Sequence, residues 1–212
     1  MNFQQKVISK LTPQCILNKN RMLNEYVVFN DWLRNDCQGL PPHVFKQNTI
    51  FEFQKKSGYE TLVETGTYLG DMVEAQKKFF KKIYSIELSA KLYEMAKRRF
   101  SKDSNVEIVQ GDSGRMLSTI VSKLDKPAIF WLDGHYSAGI TAKGDKECPI
   151  YEELDAIFNG TVKNHILLID DTHCFIGQGD YPTIDELTKY ITDKNSAYKL
   201  EIKKDIICYT MF

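Results

Sequence analysis

Three features of specialised protein classes are missing from this sequence of 212 residues. No segment approaches the roughly 20 consecutive apolar residues of a membrane span, and the first residues lead into no apolar stretch of signal-peptide length. The five cysteines are scattered without a Cys-x-x-Cys pair, which argues against a zinc knuckle, a redox pair or a disulfide framework. We therefore expect a cytoplasmic protein without membrane contact, whose thiols are reduced.

An excess of charge of either sign is also missing, because 28 Lys and Arg residues balance 28 Asp and Glu residues. Without a net positive field the chain has no general attraction for polyphosphate, so we expect no nucleic-acid partner. A small and roughly neutral acceptor molecule suits this balance better. The hydrophobic share of 42% and the charged share of 26% are typical of a folded globular protein.

The chain before residue 58 has helical patterning and no glycine-rich chemistry. Apolar side chains recur at helical spacing over 22–35, a Gly-Leu-Pro-Pro segment interrupts the chain, and a second helix is predicted over 43–57. We expect 1–57 to be a helical extension that covers a cofactor or substrate, and 58–212 to be the ligand-binding domain. A homodimer formed through the extension is compatible with the sequence, but no motif supports it.

From residue 61 onward, short apolar runs alternate with amphipathic stretches, which is typical of strand-helix-strand units around a parallel sheet. Strands are predicted at 61–64, 82–87, 106–110, 128–133 and 166–170, and helices at 69–80, 90–100, 114–123, 149–158 and 183–192. Two closely spaced strand-like runs, 198–203 and 206–211, predict a closing antiparallel hairpin. The expected fold is α/β and Rossmann-like, with a mostly parallel seven-stranded sheet, helices on both faces and this hairpin at the end.

The turn after the first predicted strand decides between two kinds of cofactor. Glu64 ends the strand, and Gly66 and Gly70 follow at the edge where open α/β sheets bind ligands. A dinucleotide fingerprint starting at Gly66 would need glycine where Tyr68 and Asp71 stand, and a carboxylate at a helix N-terminus repels pyrophosphate. The loop therefore favours a cofactor without phosphate over NAD.

The spacing of an acidic residue, Gly66 and Gly70 resembles that of class I methyltransferases, which use S-adenosylmethionine. In that family a carboxylate after the second strand binds the ribose hydroxyls, and Glu87 stands at this position. Asp112, after the third strand, matches the place where the family caps the adenine amino group. The closing hairpin is a further mark of that fold. The cofactor-binding residues that the resemblance implies are Glu64, Gly66, Thr67, Tyr68, Gly70, Glu87, Leu88, Asp112, Ser113 and Asp133.

A simpler interpretation of Glu87 and Asp112 is that each carboxylate only caps the helix that follows it, which carboxylates often do. Each residue taken singly is open to both interpretations. Their order at successive strand ends, together with the glycine turn and the hairpin, favours cofactor binding.

Three aspartates follow the fourth and fifth predicted strands, Asp133 after one and Asp170 with Asp171 after the other. Adjacent parallel strands bring such residues to one edge, where three like charges are costly unless a cation offsets them. This set resembles the metal-dependent small-molecule O-methyltransferases of the sugar and macrolide type, which implies Mg²⁺ bound by all three. A metal-free polar rim, with Asp170 as a cap, is the alternative.

His135 departs from that pattern, because the sugar-type enzymes have an aspartate, proposed as the base, at this place. A histidine can also accept a proton near neutral pH, so His135 and Asp133 are the candidate catalytic residues. His173 is expected to be structural or to orient a carboxylate. The polar loop 137–147 is either a lid over the acceptor or a plain solvated connection.

These observations predict an S-adenosylmethionine-dependent O-methyltransferase, assisted by Mg²⁺, that acts on a hydroxyl of a sugar or another small polar metabolite. A metal-independent methyltransferase acting on nitrogen or protein is the first alternative. A module that binds the cofactor without chemistry is the second, and a nicotinamide oxidoreductase comes last.

Overall fold

The computed structural model describes residues 14–134 and 146–212. His135 and most of the predicted loop 137–147 therefore lie outside the described residues. The chain divides into two compact units, residues 1–48 and 49–212. Among the described residues, no helix combines the length and apolar character needed to cross a bilayer.

The N-terminal unit contains helix α1, Gln14–Arg34, and the beginning of helix α2, His43–Ser57. Helix α1 starts earlier than the periodicity predicted. Within this unit Trp32 packs against two rings, with centroid distances of 6.1 Å to Phe29 and 5.2 Å to Phe45. Trp32 is thereby a core aromatic of this unit, as its apolar character favoured.

The second unit is built on a seven-stranded sheet with the order β3-β2-β1-β4-β5-β7-β6. Strands β1 to β5 are parallel, and β7 pairs antiparallel with both β5 and β6. This arrangement confirms the predicted mostly parallel sheet with a closing hairpin. The strands are β1 Thr61–Thr65, β2 Lys82–Glu87, β3 Val106–Gln110, β4 Ile129–Leu132, β5 Ile166–Ile169, β6 Lys199–Lys203 and β7 Ile206–Thr210.

Helices connect the strands as the pattern predicted, with one marked difference. Helix α3 was expected over 69–80 but spans only Asp71–Gln76, because Gly70 adopts a left-handed conformation before it. After it, the Asn105 side-chain amide donates to the carbonyls of Lys77 and Phe80, both at 2.9 Å, and holds this segment as a turn. The other helices are α4 Ala90–Arg99, α5 Ser113–Val121, α6 Ile150–Asn159 and α7 Ile184–Lys194, with a 3₁₀ turn at Thr172–Cys174.

The core lies along the two central strands β4 and β5, every residue of which is buried. Parallel strands covered by helices on both faces have no solvent side, and this explains their continuous Ile, Phe, Trp and Leu composition. Each fully buried side chain of this kind contributes about 1.5–3 kcal/mol to folding.

The strand order reverses direction between β1 and β4. Strands β2 and β3 lie on the far side of β1, and strands β5, β7 and β6 lie on the far side of β4. In open α/β sheets the crevice outside the carboxyl ends of the strands at such a reversal is where ligands bind. The loops after β1, β2, β4 and β5 all reach this edge, and the candidate site is built from them.

Candidate functional site

The turn after β1 is fixed by backbone contacts to both neighbouring strands. The N–H groups of Gly66 and Thr67 donate to the Ile86 carbonyl, at 3.0 and 3.1 Å. Gly66 has φ +85°, and a Cβ atom there would lie 2.3 Å from the carbonyl oxygen of Asp133. Only glycine satisfies both the positive φ and this close approach. The predicted Gly66 is therefore required by the backbone of the turn.

The start of α3 is tied down by an arginine that the sequence pattern did not reveal. The Arg99 guanidinium donates to the Asp71 carboxylate at 2.8 Å and to the Leu69 carbonyl at 2.6 Å. Asp71 and Glu74 occupy the first turn of α3, where carboxylates suit the helix dipole. Because a negative side chain already stands at this helix end, the turn does not suit a pyrophosphate.

Glu64 is buried at the end of β1, within a chain of hydroxyl groups. Its carboxyl accepts a hydrogen bond from Ser85, whose hydroxyl also lies 2.5 Å from that of Thr67. Burial raises the pKa of Glu64 well above the usual range, against the opposing effect of the Ser85 hydrogen bond, and the nearby charges of Asp133, Glu87 and Asp71 raise it further. The hydroxyl contacts join Glu64 to the glycine turn, while burial and the neighbouring negative charges favour its neutral form.

Glu87 holds both loops at the reversal point with the two oxygens of one carboxylate. The N–H of Tyr68 donates to Oε2 at 2.7 Å, and the N–H of Ser89 donates to Oε1 at 2.8 Å. Burial raises the Glu87 pKa, while the backbone N–H groups of Ser89, Tyr68 and Leu88 lower it. Each oxygen keeps a second lone pair, so the carboxylate can also accept both hydroxyls of a vicinal diol.

The capping interpretation of Glu87 is not supported by this geometry, because helix α4 is capped by Ser89. The Ser89 hydroxyl accepts from the Leu92 N–H at 3.5 Å. Asp112 does occupy the N-cap position of α5, but its side chain makes no capping hydrogen bond. Ser113 follows it and is buried. Both predicted residues therefore stand after β3 at the expected edge.

Asp133 and Asp170 are brought side by side, as the predicted strand neighbours required. Leu132 pairs with Ile169 in the parallel register, and the Asp170 N–H donates to the Leu132 carbonyl at 3.1 Å. The Asp133 N–H donates to the Thr65 hydroxyl at 3.1 Å. Asp170 is buried, whereas Asp133 is half-buried at the rim.

Glu153 adds an acidic group that the sequence interpretation did not assign. It is buried on α6, and it lines one cavity together with Asp170 and Gly134. A Cβ atom at Gly134 would lie 2.8 Å from Glu153 Oε1 and 2.9 Å from the Ser113 hydroxyl, so these groups converge behind the loop after β4. Its only sequence signal is a position in the first turn of an amphipathic helix.

Asp171 belongs to a different group from the other two predicted metal ligands. It adopts a left-handed conformation with φ +56° and precedes the 3₁₀ turn. In the described part of the chain, the one set of three metal-ligand side chains whose ligand atoms all lie within 4.8 Å is Asp171, His173 and Cys174. The described structure therefore pairs Asp133 with Asp170 but does not gather Asp133, Asp170 and Asp171 into one compact set.

No protein-family model matches the sequence. Solved structures do resemble the fold. An O-methyltransferase from Bacillus cereus in complex with SAH has a TM-score of 0.58 and 12% identity, with 97% of this chain and 96% of that chain covered. The SAH-bound methyltransferase PaMTH1 from Podospora anserina has a TM-score of 0.58 and 11% identity, with 99% of this chain and 97% of that chain covered. The O-methyltransferase TomG from Streptomyces achromogenes, in complex with SAM, has a TM-score of 0.57 and 13% identity, with 88% of this chain and 86% of that chain covered.

At these identities the likeness establishes the fold. It confirms the Rossmann-like class I methyltransferase architecture that the glycine turn, the strand order and the closing hairpin had indicated.

Proposed function

We propose that this chain is an S-adenosylmethionine-dependent O-methyltransferase acting on a hydroxyl of a sugar or another small polar metabolite. The observation that carries the proposal is the pairing of the Gly66 turn with the Glu87 carboxylate. Both Glu87 oxygens are held by backbone N–H groups at the reversal of strand order, beside a helix start that carries its own acid. This combination suits a cationic nucleoside with a ribose diol and no phosphate.

Each predicted residue is assigned to the part of the cofactor that suits its chemistry. Glu87 accepts the ribose hydroxyls, and Asp112 with Ser113 receives the adenine end after β3. Gly66 and Gly70 keep the turn in its observed conformation, because both have a positive φ and a Cβ atom would lie 2.3 Å from the Asp133 carbonyl oxygen or 2.7 Å from the Phe100 ring. Three solved structures of the same fold contain SAM or SAH, and this supports the same use of the crevice here.

Methyl transfer requires the acceptor oxygen, the methyl carbon and the sulfur to lie in line. Such positioning is worth up to about 7–11 kcal/mol in favourable intramolecular cases. The acceptor hydroxyl must also lose its proton as the sulfonium charge is lost. We assign that proton to His135, and we assign orientation of the acceptor to Asp133, two residues earlier in the sequence. His135 lies outside the described residues, so its role is part of the proposal.

Magnesium assistance is the finer part of the sequence prediction, and the described geometry fits it only partly. Mg²⁺ prefers a near-octahedral set of oxygen ligands, usually one or two carboxylates with waters. Asp133 and Asp170 offer neighbouring carboxylates, but Asp171 lies with a thiol and an imidazole. If Mg²⁺ assists the reaction, Asp133 and Asp170 are therefore the carboxylates that would hold it, with Asp171 outside the set.

The test is a calorimetric titration of the purified chain with S-adenosylhomocysteine, with and without Mg²⁺, followed by methyl transfer to a panel of sugar and catechol hydroxyls. We expect saturable binding with one site and methylation of at least one hydroxyl class. Failure to bind S-adenosylhomocysteine would overturn the proposal, and tight binding without any turnover would indicate a non-catalytic module.

Asp133→Asn separates cofactor binding from catalysis, and we expect it to lower turnover at least tenfold while S-adenosylhomocysteine still binds. Turnover that stops on chelation and returns with Mg²⁺ would establish magnesium assistance. Turnover that survives chelation would exclude it.

A further inference from the structure

The turn after β5 carries side chains whose chemistry methyl transfer does not use. The Cys174 N–H donates to the Asp171 carbonyl at 2.8 Å, which closes a single 3₁₀ turn. One ligand atom each from Asp171, His173 and Cys174 lies within 4.8 Å of the other two. His173 is exposed and the other two are half-buried, so solvent ions can reach the cluster.

A carboxylate from the distant hairpin fixes the orientation of this turn. Asp205, at the turn between β6 and β7, accepts from the His173 N–H at 2.9 Å and bonds the His173 ring at Nδ1 over 2.8 Å. Its own carbonyl accepts from the Thr172 N–H at 3.0 Å. Asp205 is buried, whereas the His173 ring that it orients is exposed. A histidine bonded in this way to a carboxylate is the usual arrangement of a metal ligand.

We propose that Asp171, His173 and Cys174 form a binding site for a borderline-soft divalent metal ion, Zn²⁺ in the first place, with Asp205 orienting His173. A thiolate with an imidazole and one carboxylate selects Zn²⁺ or Co²⁺, whereas Mg²⁺ prefers oxygen ligands alone. Three protein ligands leave a fourth tetrahedral position for water or a small ligand.

The electrostatics of the cluster favour a cation. The negative charges of Asp171, Asp205 and Asp170 all act on the Cys174 side chain. A divalent ion offsets the local negative charge and takes the thiolate as a ligand.

The proposed site uses Asp171, which the sequence assigned to magnesium, in a different ligand set. Metal binding at this turn does not require S-adenosylmethionine, so it goes beyond the proposed methyl transfer. The loss of either property would leave the other measurable.

The experiment is an optical titration of the untagged, metal-stripped full chain with Co²⁺. We expect one equivalent to produce absorption bands of tetrahedral cobalt and of thiolate-to-cobalt charge transfer. Stoichiometric Zn²⁺ should abolish these bands, and a hundredfold excess of Mg²⁺ should not. Absence of the thiolate band, or its loss in excess Mg²⁺, would overturn the proposal.

Two variants test the ligands, a third tests the orienting carboxylate and a fourth is the control. Cys174→Ser should remove the thiolate band, and His173→Gln should weaken Co²⁺ binding at least tenfold. Asp205→Asn, which perturbs only the orienting bond, should weaken binding about 10- to 100-fold. Cys37→Ser is the matched control, because Cys37 is also a half-buried free thiol but lies outside the cluster.

Circular dichroism of each variant verifies folding. Should Cys174→Ser fail to fold, Asp171→Asn takes its place, with a tenfold weaker Co²⁺ affinity expected. An unchanged thiolate band in Cys174→Ser, or Co²⁺ affinity unchanged in all the ligand variants, would refute the site.

Discussion

Gly66 stabilises the turn after β1 because it has no side chain. Its φ of +85° is rarely adopted by other residues, and the Asp133 carbonyl occupies the space where a Cβ atom would stand. A Cβ atom at this position would overlap with backbone atoms of Asp133. Rotation of a side chain cannot relieve this overlap, so the backbone itself would have to move.

We expect Gly66→Ala to lower the free energy of unfolding by about 2–5 kcal/mol. About 1–2 kcal/mol comes from the left-handed backbone and about 1–3 kcal/mol from overlap with Asp133. Gly58→Ala is the matched control, because Gly58 has φ +71° but nothing within 4 Å of its Cβ position. Urea unfolding of both variants measures the difference, and equal losses would contradict the close approach.

Under the proposed function, we expect cofactor affinity to depend more on Glu87 than on any other single side chain. Glu87→Gln keeps the size but replaces one acceptor by a donor that faces a backbone N–H. Since a hydrogen bond to a charged group is worth about 1.5–3 kcal/mol, S-adenosylhomocysteine should bind about 10- to 100-fold more weakly by calorimetry. Glu107→Gln is the control, as that carboxylate pairs with Lys82 and Lys123 instead. Equal affinities for the two variants would remove Glu87 from the site.

Helix α7 begins with a complete capping box. The Thr183 hydroxyl accepts from the Glu186 N–H at 3.2 Å, and the Glu186 carboxylate accepts from the Thr183 N–H at 2.8 Å. Thr183→Ala should lower the free energy of unfolding by about 1 kcal/mol. Thr192→Ala, in the last turns of the same helix, should change it little, because alanine is the better helix former. A Thr183→Ala loss no larger than the Thr192→Ala loss would show that the cap is not stabilising.

His165 joins the starts of β4 and β5. Its Nδ1 accepts from the Ala128 N–H at 3.1 Å, and its Nε2 lies 3.0 Å from the Val162 carbonyl. Burial lowers the His165 pKa from 6.5 to about 4. The protein therefore loses stability as the pH falls from 6.5 towards 4, because the unfolded chain takes up the proton first.

The loss assigned to His165 is at most about 3–4 kcal/mol, since one pKa unit corresponds to about 1.4 kcal/mol. Titration of its imidazole by NMR, with urea unfolding across this pH range, measures both quantities. A midpoint near 6.5 would contradict the burial argument.

Sequence patterns predicted the strands well because β4 and β5 are apolar on both faces and end in polar residues. The extent of α3 was wrong, since Asn105 competes for the carbonyls of its last turn across 25 and 28 residues of chain. Spacing along the chain carries no information on such a contact.

Dependence on contacts between distant parts of the chain also separates the predicted site residues from the missed ones. Glu64, Gly66 and Glu87 lie at strand ends, where the alternation of elements alone fixes their neighbourhood. Arg99 and Asp205 act across 28 and 32 residues, through side chains whose partners depend on tertiary packing. The grouping of Asp171 with Cys174 also depends on a left-handed residue that the sequence did not indicate.

For the chain as a whole, ligand binding should appear as added stability. A ligand at 100 times its dissociation constant adds about 2.7 kcal/mol, which for a chain of this size raises the melting temperature by about 5–10 °C. We expect this shift with S-adenosylhomocysteine and none with NAD. Differential scanning fluorimetry measures both, and a shift with NAD alone would favour an oxidoreductase.

The contact between Gly66 and the Asp133 carbonyl joins the loop after β1 to the loop after β4 without an intervening side chain. Because the two backbones lie so close together, we expect a displacement of one loop to move the other. Under the proposed function, we therefore expect binding of the nucleoside at the Gly66 turn to be coupled to the position of Asp133, which orients the acceptor.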